Sequence, residues 1–459
     1  MMSLREAATA IAARARGEDV FFESVSTDSR TLARNALFVA LRGERFDGHR
    51  FIGAARERGA VAAMVDQDSG PGVEGQDLPF IIVEDTRLAL GRLATRWRDR
   101  FEIPLIVVTG SNGKTTVKEM IAAILRAHFG DTRVLATEGN LNNDIGLPLT
   151  LLALRKEHGA AVIELGMNHP GETAYLAAIA APNVALVNNA QREHQEFMSS
   201  VAEVAREHGS VFQALKPGGI AVINADDEFA GYWRSVLAGR AVRDFGIDRP
   251  AQVSGRFAVR DFGSEIELQS PEGAARIALK IDGRHNVLNA LAAAACALAA
   301  GASLEAVSRG LNGFRAVGGR TQRRALPSGA SLVDDSYNAN PDSLRAAIDM
   351  LATFPGPRLL VLGDMGEVGV RGAAFHEEIG NYARERCIDR LYALGDLSRA
   401  AVETFGEGAR HFAAIPDLIA AVQRDLRPRA TVLVKGSRFM RMERVVQALS
   451  GEALAGKGH

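Results

Sequence analysis

Cysteine and lysine are both scarce in this chain. Only two cysteines, Cys296 and Cys387, occur in 459 residues. Their positions show no metal or redox spacing, which excludes a disulfide framework and suggests a reducing compartment. Lysine occurs seven times against 47 arginines (54 − 7), so each lysine draws notice. No run of about 18 uncharged apolar residues is present, and the Ala-rich stretch 288–301 is too short to cross a bilayer. The N-terminal MMSLREAATAIAARARGED carries acids and lacks the apolar core of a secretory leader. Net charge is −1, so nothing argues for a nucleic-acid partner or a membrane surface. The chain is therefore expected to be soluble and cytoplasmic. Apolar residues make up 47%, enough for several buried cores, and the length suggests about two to four domains.

What the chain does contain is a phosphate cradle. Residues 103–120 read IPLIVVTGSNGKTTVKEM. Residues 105–108 form a short apolar run suited to a buried parallel strand. Gly110 and Gly113 let the backbone turn sharply and approach a ligand. Lys114 opens a helix whose free N–H groups already attract anions. Thr115 or Thr116 is placed to hold Mg²⁺. The loop has the short form GxxGKTT, since the longer pattern wants a glycine where Val108 stands. Strand context and the second threonine favour nucleotide phosphate over a chance turn.

Residues 1–99 predict a small mixed α/β domain. Residues 4–15 and 51–59 pattern as helices, and 36–41, 60–65 and 79–83 as strands. Asp28, Ser29 and Arg30 read as a capped turn unless a family match gives them a ligand. Residues 100–314 alternate strands and helices as a parallel sheet does. The asparagine-rich segment 137–152 is loop chemistry. Glu164 follows the strand at 161–163, on the edge where open α/β sheets collect ligands. It reads as a Mg²⁺ ligand or as a solvated strand-end acid. His194 lies beyond the strand at 183–190 and reads as polar surface or as a ligand. Another strand covers 219–224, and residues 250–282 look antiparallel. A helix over 283–301 puts Asn286 and Asn289 on one face. Residues 315–459 hold strands at 331–334, 359–362, 391–394 and 431–434, each ending in a polar loop. That pattern predicts a doubly wound sheet, and no GxGxxG fingerprint accompanies it. The predicted class is α/β in three domains: a small mixed N-terminal domain, a central parallel-sheet P-loop domain and a C-terminal Rossmann-like domain.

In this order, TGSNGKTT, IELGMN, the histidine after VNN, GRHNVLNALAA, GGR and DDSYNANP resemble the Mur ligases of peptidoglycan synthesis. The resemblance runs from STDSR at residue 26 to RMERV near residue 445. GNLNNDIG, DDSYNANP, LGDMGE and VKGSR are similar to the branch that adds a dipeptide. The resemblance implies an ATP-dependent, ADP-forming amide ligase of cell-wall biogenesis, tied to cell shape and division. Implied substrates are UDP-N-acetylmuramoyl-tripeptide and D-alanyl-D-alanine. Implied cofactors are ATP and Mg²⁺, and the chain is expected to act as a monomer. Residues 1–99 would bind the UDP-sugar, 100–314 ATP, and 315–459 the dipeptide. Folylpolyglutamate-type ligases of the same superfamily fit less well, because they begin near their phosphate loop. A nucleotide switch or motor would want the longer loop.

Site residues follow from the resemblance. Gly110, Ser111, Asn112, Gly113, Lys114, Thr115 and Thr116 would contact ATP. Lys114 would neutralise the β- and γ-phosphates, and Thr115 would bind a first Mg²⁺. Glu164 and His194 would hold a second Mg²⁺. Asn143, Asn286 and Asn289 would lie on the nucleotide side, Arg320 on the γ-phosphate and Asp335 on the ribose. Asp28, Ser29, Arg30 and the 36–51 segment would meet the UDP-sugar. Asp364, Lys435 and Arg438 would face the dipeptide. Two departures stand out. The family often has a carbamylated lysine where this chain has His208, and a neutral imidazole cannot replace a bridging carbamate. HQEF also lacks the glycine of the related HLEGF pattern.

Overall fold

The computed structural model describes residues 1–44, 46–67, 77–237 and 239–451. Arg45, inside the expected 36–51 substrate segment, lies outside them. Three large sheets follow one another along the chain, beside two short two-stranded pairings. The N-terminal sheet runs in the order Arg14–Arg16, Phe80–Val83, Ala60–Asp66, Ala36–Val39, Ser24–Ser26. Its last four strands are parallel.

The central sheet has nine strands. Their order is Val134–Ala136, Ala160–Glu164, Leu105–Thr109, Val184–Val187, Ile220–Asn224, Ala241–Gly246, Val253–Val259, Ser264–Ser270 and Gly273–Leu279. The first seven are parallel and the last two antiparallel. Every residue of Leu105–Thr109 is buried, as a central parallel strand with both faces covered requires. The chain leaves this strand toward one side of the sheet first and the other side later. Its C-terminal end is therefore a topological switch point, where such sheets bind ligands. The helix after it, Lys114–Phe129, packs on Leu304–Gly313 and Arg284–Ala299. That approach needs a glycine: a Cβ on Gly310 would stand 2.6 Å from Ile124 Cα.

The C-terminal sheet runs Gln322–Ala325, Ser331–Asp335, Thr431–Lys435, Arg358–Gly363, Arg390–Leu394, Ala409–Phe412. It is parallel except for its first edge strand. Separate apolar clusters cover its faces, one including Phe375 and Leu433, the other Leu418 and Val432. The first two units instead share one cluster, in which Leu4, Leu37, Leu90 and Trp97 join Leu105, Leu147 and Leu151.

Several local expectations shift. The helix expected over 4–15 spans Leu4–Ala10, because Ala12 takes a φ of 56° and the chain enters strand Arg14–Arg16. Edge strands Gln322–Ala325 and Ala409–Phe412 escaped the pattern, because QRRA and ARHF hold no apolar run. Among the described residues no helix is long and apolar enough to cross a membrane.

Candidate active site at a phosphate loop

Residues 110–113 connect the central strand to helix Lys114–Phe129 in a tight turn, with φ of 130° at Gly110 and 82° at Gly113. A Cβ on Gly113 would meet Asn289 Oδ1 at 2.5 Å, so glycine is required. The loop is laced to the 188–191 segment that follows strand Val184–Val187. The Asn112 N–H donates to Asn189 Oδ1 at 2.8 Å. Asn188 and Asn189 Nδ2 donate to the Asn112 carbonyl at 2.9 and 3.0 Å. The Gln191 N–H donates to Ser111 Oγ at 2.9 Å. Lys114 Nζ folds back onto the Gly110 carbonyl at 2.6 Å. Thr115 and Thr116 are buried in the first helical turn. The result is a hydrogen-bonded loop with an ammonium at a helix N-terminus, which suits a phosphate chain.

Two acids lie beside it. Glu164 ends strand Ala160–Glu164, where its Oε1 accepts from Asn142 Nδ2 at 2.8 Å. Its Oε2 is buried without any partner. An unpaired buried carboxylate oxygen beside a phosphate loop fits a divalent cation. Glu193 is also buried. Its carboxylate lies 3.5 Å from Lys114 Nζ and 2.7 Å from His208 Nε2. Burial alone would raise its pKa, but the Lys114 charge and the His208 hydrogen bond outweigh that and hold it well below the usual range.

His194 sits in a left-handed backbone conformation, φ 47°. Its Nδ1 lies 2.6 Å from Glu367 Oε2 of the C-terminal unit, and Glu367 has a φ of 57°. Paired backbone strain of this kind marks sites where a contact is held against local preference. Next to it, Arg192 spans the same seam. It bonds Asp342 at 2.6–3.1 Å and Glu378 at 2.6 and 3.0 Å. Asn112 of the phosphate loop exchanges hydrogen bonds with Asn340 at 3.2 and 2.9 Å. A cavity of about 590 Å³ opens on Lys114, Asn142, Asn143 and His194, and runs past Arg87, Asp144, Asn168 and Glu172.

Three family profiles match along the chain: Mur ligase family, catalytic domain, at residues 22–98; Mur ligase middle domain at 108–297; and Mur ligase, glutamate ligase domain, at 319–438. The UDP-N-acetylmuramoyl-tripeptide–D-alanyl-D-alanine ligase of Escherichia coli (strain K12) is 44% identical over 95% of both chains. This chain belongs to the Mur ligase family. Among solved structures, MurF from Acinetobacter baumannii superposes with a TM-score of 0.90 at 32% identity, covering 98% of this chain and 99% of its own. The MurF ligase of Thermotoga maritima in complex with ADP gives 0.83 at 26%, covering 95% and 99%.

Several expected residues of this Mur ligase sit elsewhere than anticipated. No three His, Cys, Asp or Glu side chains among the described residues converge as a ready-made metal centre. Glu164 and His194 are suitable donors, but His194 is drawn toward Glu367. Asn286 and Asn289 are buried behind the loop: Asn289 accepts from Asn188 at 3.1 Å and donates to Asn286 at 3.1 Å. They shape the loop from beneath. Asn143 Oδ1 accepts from the Gly146 N–H at 2.8 Å at the start of helix Gly146–Leu152, while also lining the cavity.

The C-terminal residues are engaged with one another. The Arg320 guanidinium lies 4.2 Å from the Tyr337 ring centroid, and that of Arg438 lies 5.7 Å from it. Asp335 and Lys435, expected on different ligands, are ion-paired at 2.6 Å. Asp364 accepts from the Ser398 N–H at 2.8 Å and is buried. That makes it a brace for the loop after strand Arg390–Leu394. At the far end, Arg30 closes back on Asp28 at 2.8 and 3.0 Å, and hydrogen bonds from Arg30 lower the Asp28 carboxyl to about 2. Neither these two nor Ser29 lines the cavity.

His208 bears on one departure. It is fully buried on helix Val201–Gly209, with both ring nitrogens used, so it does not offer a ligand to the site. Sequence reasoning missed Glu193, Arg192, Asn142, Asn188 and Asn340. The one available signal for Glu193 was its place immediately before His194, at the C-terminal edge of the sheet.

Proposed function

We propose that this Mur ligase joins D-alanyl-D-alanine to UDP-N-acetylmuramoyl-tripeptide, using ATP and forming ADP. The observation that carries the reading is the opening of Lys114 and His194 onto one cavity beside the C-terminal unit. The identity to relatives of that activity supports the choice of substrates.

The chemistry follows from the reactants. A peptide carboxylate is a poor electrophile as an anion. Its oxygen attacks the γ-phosphorus, the bond to ADP breaks, and an acyl phosphate results. The dipeptide amine attacks the acyl carbon, and collapse of the tetrahedral adduct forms the amide and releases phosphate and a proton. An α-amino group has a pKa of about 7.7–8.0, so enough neutral amine exists without a strong protein base. Lys114 would leave the Gly110 carbonyl for the β- and γ-phosphate oxygens. Thr115, Glu164 and His194 would hold Mg²⁺, which when bound draws negative charge off the γ-phosphate. Arg320 would swing from Tyr337 onto the γ-phosphate as the C-terminal unit closes. Residues 1–99 serve the UDP-sugar, with Asp28, Ser29 and Arg30 on its far end. Residues 100–314 hold ATP, and 315–459 bring the dipeptide, with Asp364, Lys435 and Arg438 nearest. The chain works as a cytoplasmic monomer.

Purified protein given ATP, UDP-N-acetylmuramoyl-tripeptide and D-alanyl-D-alanine should release phosphate only when both acceptor substrates are present, one phosphate per amide. Phosphate release without amide product would sink the reading.

A further inference from the structure

The Glu193 carboxylate has no assigned task, yet it is among the most carefully held groups near the loop. It is 7% exposed. One oxygen is fixed by His208 Nε2 at 2.7 Å. His208 is itself fixed, since its Nδ1 lies 2.9 Å from Thr109 Oγ1 and both residues are fully buried. Thr109 ends the strand that feeds the phosphate loop. The tautomer that satisfies this chain has Nε2–H donating to Glu193 and Nδ1 accepting from the threonine hydroxyl. The other carboxylate oxygen is thereby aimed at the space between Lys114 Nζ, 3.5 Å away, and His194 Nε2, 3.7 Å away.

A fixed anion at that place conflicts with ATP. The γ-phosphate must approach Lys114, and it would meet a second negative group at short range in a partly desolvated site. A lysine cannot neutralise both. A divalent cation held by the carboxylate would turn the repulsion into attraction, and the buried, partnerless Glu164 Oε2 would offer a further anionic donor.

We propose that Glu193 is a Mg²⁺ ligand of this enzyme, taken up with the nucleotide, and that His208 is the positioning residue that aims it. The proposal rests on the ligase reading above. It also explains position 208: the anion comes from Glu193, and the histidine orients it.

The test is Mn²⁺ uptake by the full chain with a non-hydrolysable ATP analogue, read by electron paramagnetic resonance without peptide substrate. Wild type should take up a second Mn²⁺ beyond the first. Glu193→Gln, nearly the same shape without the charge, should lose it. His208→Ala should weaken the second site by about tenfold, as loss of an orienting partner does, and His208→Gln, which keeps a donor, should recover most of that. Thermal melting of each variant separates this from a folding defect. If Glu193→Gln melts early, its Mn²⁺ uptake is read below its own melting temperature, where two bound ions would overturn the proposal and one would support it. A wild-type chain with a single Mn²⁺, or a Gln variant with as many ions as wild type, overturns the proposal. Because no amide is formed in this experiment, failure of the ligase reading is detected separately by the phosphate and amide assay.

Discussion

The two seams between the three units are made of opposite chemistry. Between the N-terminal and central units, Leu90 and Trp97 are buried with Leu105, Leu147 and Leu151, and Trp97 Nε1 donates to the Leu154 carbonyl at 3.1 Å. Between the central and C-terminal units the contacts are polar. Arg192 meets Asp342 and Glu378, His194 meets Glu367, and Asn112 meets Asn340. Apolar burial cannot be exchanged for water cheaply, whereas ion pairs and amide contacts can be. The first seam keeps the N-terminal and central units as one platform. The second is made of contacts that water can replace at modest cost, and Arg192, His194 and Asn112 lie along it. Under the proposed function, the first seam would fix an alignment and the second would serve as a gate.

Breaking the apolar seam should have the largest effect. Trp97→Ala should cost about 3–5 kcal/mol of stability and lower a single shared melting transition of the first two units. Separate melting of those units would contradict the shared core. Lys114→Ala should keep the fold and cut turnover by about 10²–10³, the usual loss for one preorganised donor to developing charge. Near-normal activity would remove it from the phosphate site. Arg192→Ala should leave the shared melting transition of the first two units in place, yet enlarge the particle in solution scattering and slow turnover. A variant as compact and active as wild type would mean the polar seam does not gate the reaction.

Acid should separate the seams as well. The Arg192 hydrogen bond holds the Glu378 carboxyl below its ordinary 4.5, and the His194 hydrogen bond does the same for Glu367. A folded pKa below the unfolded one gives stability that is present above the unfolded value and lost as pH falls through the folded value. The C-terminal unit should therefore detach below about pH 4.5 while the other two still melt together. Simultaneous loss of both seams would oppose this. The smallest effect is expected at the far end. Asp28→Asn should leave the melting temperature unchanged, as exposed pairs contribute little, and raise KM for the sugar nucleotide if the turn reads it. An unchanged KM would return Asp28 and Arg30 to a simple capped turn.

Much of the fold was legible because buried parallel strands write themselves as apolar runs. LIVVT and TVLVK are buried at every residue. QRRA and ARHF are edge strands paired on one side only, so they carry no such run. The phosphate loop was legible because its glycines and lysine have local reasons. Glu193 was not, because its meaning depends on His208, fifteen residues on, and on Thr109, a strand away. Asp335 and Lys435 show the converse: each looked like a ligand contact, and their 2.6 Å pairing appears only when adjacent strands align them.

The most direct test of the phosphate route labels the tripeptide. With oxygen-18 in its terminal carboxylate, attack on the γ-phosphorus followed by amide formation should leave one labelled oxygen in each released phosphate. Unlabelled phosphate, formed at the same rate as the amide, would show that the carboxylate was never phosphorylated and would contradict the assignment of Lys114 and its neighbours.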